Sequence, residues 1–390
     1  MKRYQENIRR ITCSAGLFLG LGVVGCGSTP TTPAPSFAFV ANTNSNAITA
    51  FQVDPISGTL SPVTQGTFAT GTAPEFMVVD SGSKFLFVTN AKSNDISVFA
   101  IDAMNGMLTP VPGSPFSAGT LPKGIAVAPS ANLVFVANNG SNDISVFNFD
   151  PVTGALSPVA RSPFPGGTFP IGVITDVSGR FLYVTNTSLR MLSTTNAVSA
   201  FSIDQTTGAL APLPGSPFAA GTTPIGLVAD PNGPFIYVAD HAANVSSAAD
   251  TISVFSVDST DGSLRPVWSP AIQRPTCGPS CHSQPMHPLR VTIHPKAKFA
   301  YVTDVGSNSV SAFSLQHGTL AAATAPVATG LRPFGEAFDP TGSFLYVVNK
   351  GDNNVSGYFV DPTTGMLSPL RNSPFAAGSG PVGIVVVQRR

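Results

Sequence analysis

The chain has 390 residues, 43% of them hydrophobic and only 10% charged, where an ordinary soluble domain is about one quarter charged. Its 37 glycines and 36 prolines point to many turns and little helix, and its 27 phenylalanines supply enough apolar surface to exclude a disordered chain. Lys plus Arg equals Asp plus Glu at 20 each, which excludes nucleic-acid binding driven by bulk positive charge.

The first segment reads as an address. Lys2, Arg3, Arg9 and Arg10 precede an apolar run over 11–24, shorter than the roughly 20 residues a spanning helix needs. The run ends in Val23-Val24-Gly25-Cys26, which resembles a bacterial lipobox. That resemblance implies a signal peptide over 1–25, a diacylated Cys26 and an extracytoplasmic, lipid-anchored protein of the cell envelope. Gly27 after the cysteine implies the outer membrane in a Gram-negative cell. Residues 26–36 then form a lipidated, Pro- and Thr-rich extended tether. Removing the leader takes four basic residues and Glu6 from the 20 of each sign, leaving a net charge of −3.

Residues 37–390 are one repeated unit. FVANTNSNAITAFQVDPISGTLSPV begins at Phe39, FVTNAKSNDISVFAIDAMNGMLTPV at Phe87 and FVANNGSNDISVFNFDPVTGALSPV at Phe135. Related units begin at Tyr183, Tyr237, Tyr301 and Tyr346, with spacings of 48, 48, 48, 54, 64 and 45 residues. Such periods suit a four-stranded propeller blade. In the unit over 124–159, GIAVAP predicts an inner strand, LVFVANN a second and SNDISVFNFD a third with period-two alternation, while ALSPV predicts a short outer strand. Asp54, Asp150 and Asp361 recur in the turn between the third and outer strands and read as turn formers. GSPFSAGT, GSPFAAGT and NSPFAAGS read as turns between blades. The chain opens on a second strand at Phe37 and closes on an inner strand, Gly383-Ile384-Val385-Val386-Val387. The expected fold is therefore all-β: a single seven-bladed β-propeller whose last strand completes the first blade and removes two open sheet edges.

The YVTN and FVAN strands, followed by N-x-[IV]-S-x-[FY] and D-P-x-[ST]-G-x-L, resemble the YVTN-type propellers of surface-layer and YncE-like proteins. They also resemble the seven-bladed lactonase family, which includes 6-phosphogluconolactonases. Two further segments carry the second resemblance. His287-Pro288 leads through a strand to Tyr301-Val302-Thr303-Asp304-Val305-Gly306, and Gly330-Leu331-Arg332-Pro333-Phe334 is followed by Asn349-Lys350-Gly351. Arg332 is kept from the family pattern, its His is absent, and Lys350 replaces its turn Glu.

Candidate function gathers on one face. The second-to-third-strand connections are long in blade 4, over 187–196, and in blade 5, over 241–250; the longest insertion, 273–287, runs from blade 5 to blade 6. Insertions on one face of neighbouring blades mark a binding face, with Arg190, His241 and His282 among its side chains. The only glutamates after the leader, Glu75 and Glu336, lie at the starts of inner strands, as do Lys123, Arg290 and Arg332, with His287 just ahead. A Glu beside a His or Arg could activate water against a lactone carbonyl while a cation stabilises the oxyanion. Glu75, His287, Arg332 and Glu336 are the catalytic candidates, Lys123, Arg190, His241, His282 and Arg290 the binding ones. The same groups would also serve simply to solvate a channel mouth.

Cys277 and Cys281, with His282 following, could bind zinc together with nearby histidines. Outside the cytosol a small disulfide loop is the expected use, with no metal and no cofactor. No GxSxG elbow, HExxH, P-loop or dinucleotide fingerprint occurs. The expectation is a monomeric, lipid-anchored propeller that recognises an envelope protein, peptide or glycan through the blade 4–6 loops, touches the membrane only through its anchor and binds no nucleic acid. A lactone hydrolase with its site at the channel mouth is the alternative.

Overall fold

A computed structural model describes residues 36–187, 196–241, 251–267, 287–296 and 298–388. Cys26, Arg190, Cys277, Cys281 and His282 lie outside the described residues. Seven antiparallel sheets follow one another along the chain, each ordered inner, second, third and outer strand. The inner strands are Pro74–Val79, Pro122–Val127, Pro170–Thr175, Pro224–Ala229, Pro288–Ile293, Pro333–Phe338 and Pro381–Gln388. Pro381–Gln388 pairs with Ser36–Asn42, with Ser36 opposite Gln388 and Val40 opposite Ile384. The last strand thus completes blade 1, and the ring is a seven-bladed propeller.

The sequence pattern follows from how blades pack. Second strands such as Phe85–Asn90, Leu133–Asn138 and Phe344–Asn349 are buried at every residue, because both faces of a middle strand lie against a neighbouring blade. They therefore read as near-continuous apolar runs rather than alternating ones. Seven apolar clusters form, each joining two adjacent blades; Phe37 and Phe39 of blade 1, for example, pack with Leu86 and Val88 of blade 2, and Phe344 and Tyr346 of blade 7 with Ala38 and Phe51 of blade 1.

The recurring turns are inter-blade fasteners. Asp54 Oδ1 accepts the Ile56 and Ser57 N–H groups at 3.0 and 2.7 Å, and Asp150 and Asp361 cap their own turns in the same way. The glycine that ends each such turn has positive φ and lies against a large side chain of the preceding blade, as Gly262 does against Phe181. Tyr183, Tyr301 and Tyr346 add hydroxyl donors to the carbonyls of Gly262, Gly365 and Gly58 at 2.8, 2.8 and 2.6 Å. The GSPF-type pieces are turns, but they also supply two-residue strands, Phe116–Ser117, Phe218–Ala219 and Phe375–Ala376, that pair with the third strand. The preceding serine draws the segment back: Ser114 Oγ accepts the Val98 N–H at 2.9 Å.

His294 is such a fastener rather than a ligand. It stands where blades 2, 4, 5 and 7 carry Asp80, Asp176, Asp230 and Asp339, which accept turn N–H groups. Its Nδ1 accepts the Lys296 N–H at 3.1 Å, so the proton is on Nε2, which donates to the Gly342 carbonyl of blade 7 at 3.0 Å. The ring is 3% exposed, and burial holds its pKa below the ordinary histidine value. The unfolded chain therefore takes up a proton first as pH falls, so the contribution is complete above the ordinary histidine range and is lost on acidification. His294→Gln is expected to lose less thermal stability than the parent between about pH 7.5 and about pH 5. Parallel losses in the two chains would show that another group carries the acid sensitivity.

Candidate functional site

Each inner strand begins with proline, and the residue before that proline has positive φ in every blade: Ala73, Leu121, Phe169, Thr223, His287, Arg332 and Gly380. This strained ring surrounds one mouth of the central channel, and asparagines hold it in place. The Oδ1 atoms of Asn46, Asn94, Asn142, Asn308 and Asn353 accept the N–H of Ala73, Leu121, Phe169, Arg332 and Gly380 in the next blade at 2.7–2.8 Å. The Asn-rich connections thus set the mouth's geometry. The two side chains that reach this ring with chemistry to offer are His287 and Arg332.

The position after each proline holds Glu75 and Lys123 in blades 2 and 3, and apolar residues elsewhere. Lys123 Nζ lies 2.5 Å from Glu75 Oε1, with both side chains partly exposed at 25% and 19%. Lys350, half-buried over the Phe334 ring at 5.0 Å, joins them. Burial lowers its pKa, Glu75 opposes that, and the positive charges of Arg332 and Lys123 lower it further. Lys123, Lys350 and Arg332 therefore gather around the Glu75 carboxylate at the mouth. Lys350 entered the sequence reading only as a replaced glutamate; its position on the second-strand end of blade 7 is what brings it here.

His287 lies on the other side of this group. Its Nδ1 donates to the His241 carbonyl at 3.0 Å, and the two rings are 5.2 Å apart. The neutral ring then carries its lone pair on Nε2. Glu75 is held by Lys123 rather than by an imidazole, so the structure does not assemble a Glu75–His287 hydrogen bond among its described contacts. The blade 4 and 5 insertions leave from Asn186 and Asp240, which pair with Pro170 and Pro224 at the mouth, and the longest insertion ends at His287. Arg190 and His282 belong to those insertions and are not described. Among the described residues no group of three or more His, Cys, Asp or Glu side chains converges as a metal site; Cys277, Cys281 and His282 lie outside them.

One residue further along the strands the channel narrows. Five blades place glycine here, and an added Cβ would strike the neighbouring backbone: that of Gly335 would come 2.5 Å from the Val382 carbonyl. Blades 2 and 6 instead carry Phe76 and Arg290, and the Arg290 guanidinium lies 3.9 Å from the Phe76 ring centre. Blades 7 and 1 stand between them, so this stack bridges the bore. Burial lowers the Arg290 pKa to about 10, against the raising effect of Glu75 and Glu336, and it stays charged at neutral pH. Glu336 occupies the next position, where the other blades carry Met77, Ile125, Val173, Leu227, Val291 and Ile384. Burial pushes its carboxyl well above the usual range, Asp304 adds to that, and Arg290 opposes it. Burial thus favours the neutral form of Glu336, which stands two residues deeper along its inner strand than Glu75 does along its own.

Fold and site together define a closed seven-bladed β-propeller whose channel mouth gathers Glu75, Lys123, Lys350 and Arg332. The family model for the seven-bladed β-propeller lactonases matches residues 25–119, 164–277 and 271–386, and the chain belongs to that family. No curated protein matches it. Among solved structures, a Bacteroides fragilis protein described as a candidate 6-phosphogluconolactonase is 19% identical, with TM-score 0.74, covering 93% of this chain and 100% of its own. A Bacteroides uniformis protein of the same description is also 19% identical, with TM-score 0.74, covering 91% of this chain and 100% of its own. The periplasmic gluconolactonase of Pseudomonas aeruginosa is 17% identical, with TM-score 0.73, covering 92% of this chain and 100% of its own. At these identities the likeness is one of fold.

Proposed function

We propose that this protein is an extracytoplasmic, lipid-anchored, monomeric lactone hydrolase acting on small sugar or aliphatic lactones at the channel mouth. The observation that carries the reading is the Glu75 carboxylate held 2.5 Å from Lys123 Nζ, with Lys350 and Arg332 beside it. A carboxylate fixed among cations suits ester hydrolysis. Glu75 takes a proton from water as the oxygen adds to the lactone carbonyl, and the cations face the oxyanion that forms. The ring C–O bond then breaks, the leaving oxygen recovers the proton from Glu75, and the hydroxy acid that results releases its carboxyl proton to solvent. Family membership supports the same chemistry.

The test is hydrolysis of a lactone panel by the full chain beside Glu75→Gln and Lys123→Met. Glu75→Gln is expected to lower kcat/KM by about 10²–10⁴, and Lys123→Met by about 10²–10³. Turnover untouched by Glu75→Gln would overturn this assignment of the base.

A second reading has its own observation. The insertions of blades 4 and 5 start at the mouth, and the third ends there. These loops suit capture of an envelope protein, peptide or glycan. Loss of capture on shortening 188–195 and 242–250, from a folded chain with no lactone turnover, is the result this reading expects.

A further inference from the structure

A cavity of about 170 Å³ adjoins the Arg290–Phe76 stack, lined by Met77, Val291, Thr292, Val382 and Ile384 together with Arg290 and Glu336. A cavity of about 150 Å³ holds a benzene-sized molecule. Both Glu336 carboxyl oxygens and Arg290 Nε are buried and have no hydrogen-bond partner among the described residues. Among the described residues the two side chains do not pair with each other. Burying such groups unpaired is costly, and every other blade places an apolar side chain where Glu336 stands.

The geometry of the arginine says what is missing. Stacking on Phe76 uses the face of the guanidinium and leaves its N–H edge for a planar anion. Burial favours the neutral form of the Glu336 carboxyl, and in that form it donates to an oxygen. Phe76, Thr292 and the aliphatic side chains make up the rest of the lining. We propose that this chamber binds a small hydroxy- or oxo-monocarboxylate, its carboxylate on the Arg290 edge and a second oxygen accepting from Glu336. The site is distinct from the mouth, where the larger lactone ring would be opened.

Calorimetric titration of the full chain with lactate and pyruvate tests this, with butyramide as the uncharged control. Both acids are expected to bind one per chain, and the amide at least about ten-fold more weakly. Arg290→Met is expected to weaken acid binding by about ten-fold or more. Glu336→Gln, which keeps a donor, should stay within about three-fold of the parent. Met77→Trp fills the chamber and should abolish binding while the melting temperature shows that the ring is intact, which guards against a misfolded arginine variant. No heat with either acid, equal binding of butyramide, or binding unchanged in Met77→Trp would overturn the proposal. The readout is carboxylate binding, so it stands apart from any result on lactone turnover.

Discussion

Ending the chain after Gly380 is expected to abolish cooperative folding, although it removes only the last ten residues. The lost segment carries the inner strand of blade 1, in which Val382, Ile384 and Val387 are 1%, 6% and 3% exposed. Burying three such side chains contributes about 1.5–3 kcal/mol each, and the second strand Ser36–Asn42 would lose its whole inner ladder. A domain's net stability is about 5–15 kcal/mol, so the loss is of the same size as the total. The strand also seats blade 1 between blades 7 and 2: Gly383 lies against the Glu75 carbonyl and Gly335 against that of Val382. Without it the ring has two open edges. Thermal and denaturant unfolding followed by circular dichroism should show no sigmoidal transition in the truncated chain. A permutant with 381–388 joined by a short turn ahead of residue 36 should restore it, since Ser36 and Gln388 are already opposite one another. An unchanged melting temperature after truncation would mean that six and three-quarter blades suffice.

The ring closure was legible in the sequence because strand order is written in the repeat: an inner-strand pattern at Gly383 has no partner except the orphan second strand at Phe37. The mouth was legible in part. Inner-strand starts are marked by proline, so charges beside them, Glu75, Lys123, Arg290 and Arg332, could be assigned to one face. Depth could not be read. Glu336 and Glu75 each stand one to three residues from an inner-strand proline, yet burial favours the neutral form of the first, and the second is a carboxylate paired with Lys123. That difference comes from their unequal depth along the inner strand and from the neighbours other blades bring, Lys123 beside Glu75 and Asp304 near Glu336. The Arg290–Phe76 bridge was illegible for the same reason: it joins residues of blades 6 and 2 across the bore. The asparagine ties were partly visible. Asn was evident in each connection, but the N–H it accepts lies 24–27 residues later in the next blade.

Gly262→Val is expected to be the most damaging single substitution outside the channel. Gly262 has φ +75, and a Cβ there would lie 2.4 Å from Phe181 Cδ1. A β-branched residue at such a φ costs about 1–3 kcal/mol in backbone strain, and forcing the ring aside adds about 1–3 kcal/mol of overpacking. Phe181 sits in the cluster that joins blades 4 and 5 with Leu213, Phe255 and Leu264, so moving its ring disturbs that packing. Displacing the turn also threatens the Tyr183 hydroxyl, which donates to the Gly262 carbonyl at 2.8 Å. The combined loss of about 3–5 kcal/mol should lower the melting temperature by about 5–10 °C in a domain of this size. The same substitution at Gly208 separates the two causes. Its φ is +71, so the strain is alike, but its neighbours are Leu133 Cδ2 and Val159 Cγ1 at 2.9 Å. A leucine can change rotamer where a phenylalanine ring cannot, so Gly208→Val should cost about half as much. Equal losses at the two sites would assign the cost to backbone strain alone, and Phe181 would then be packing against the turn without holding it.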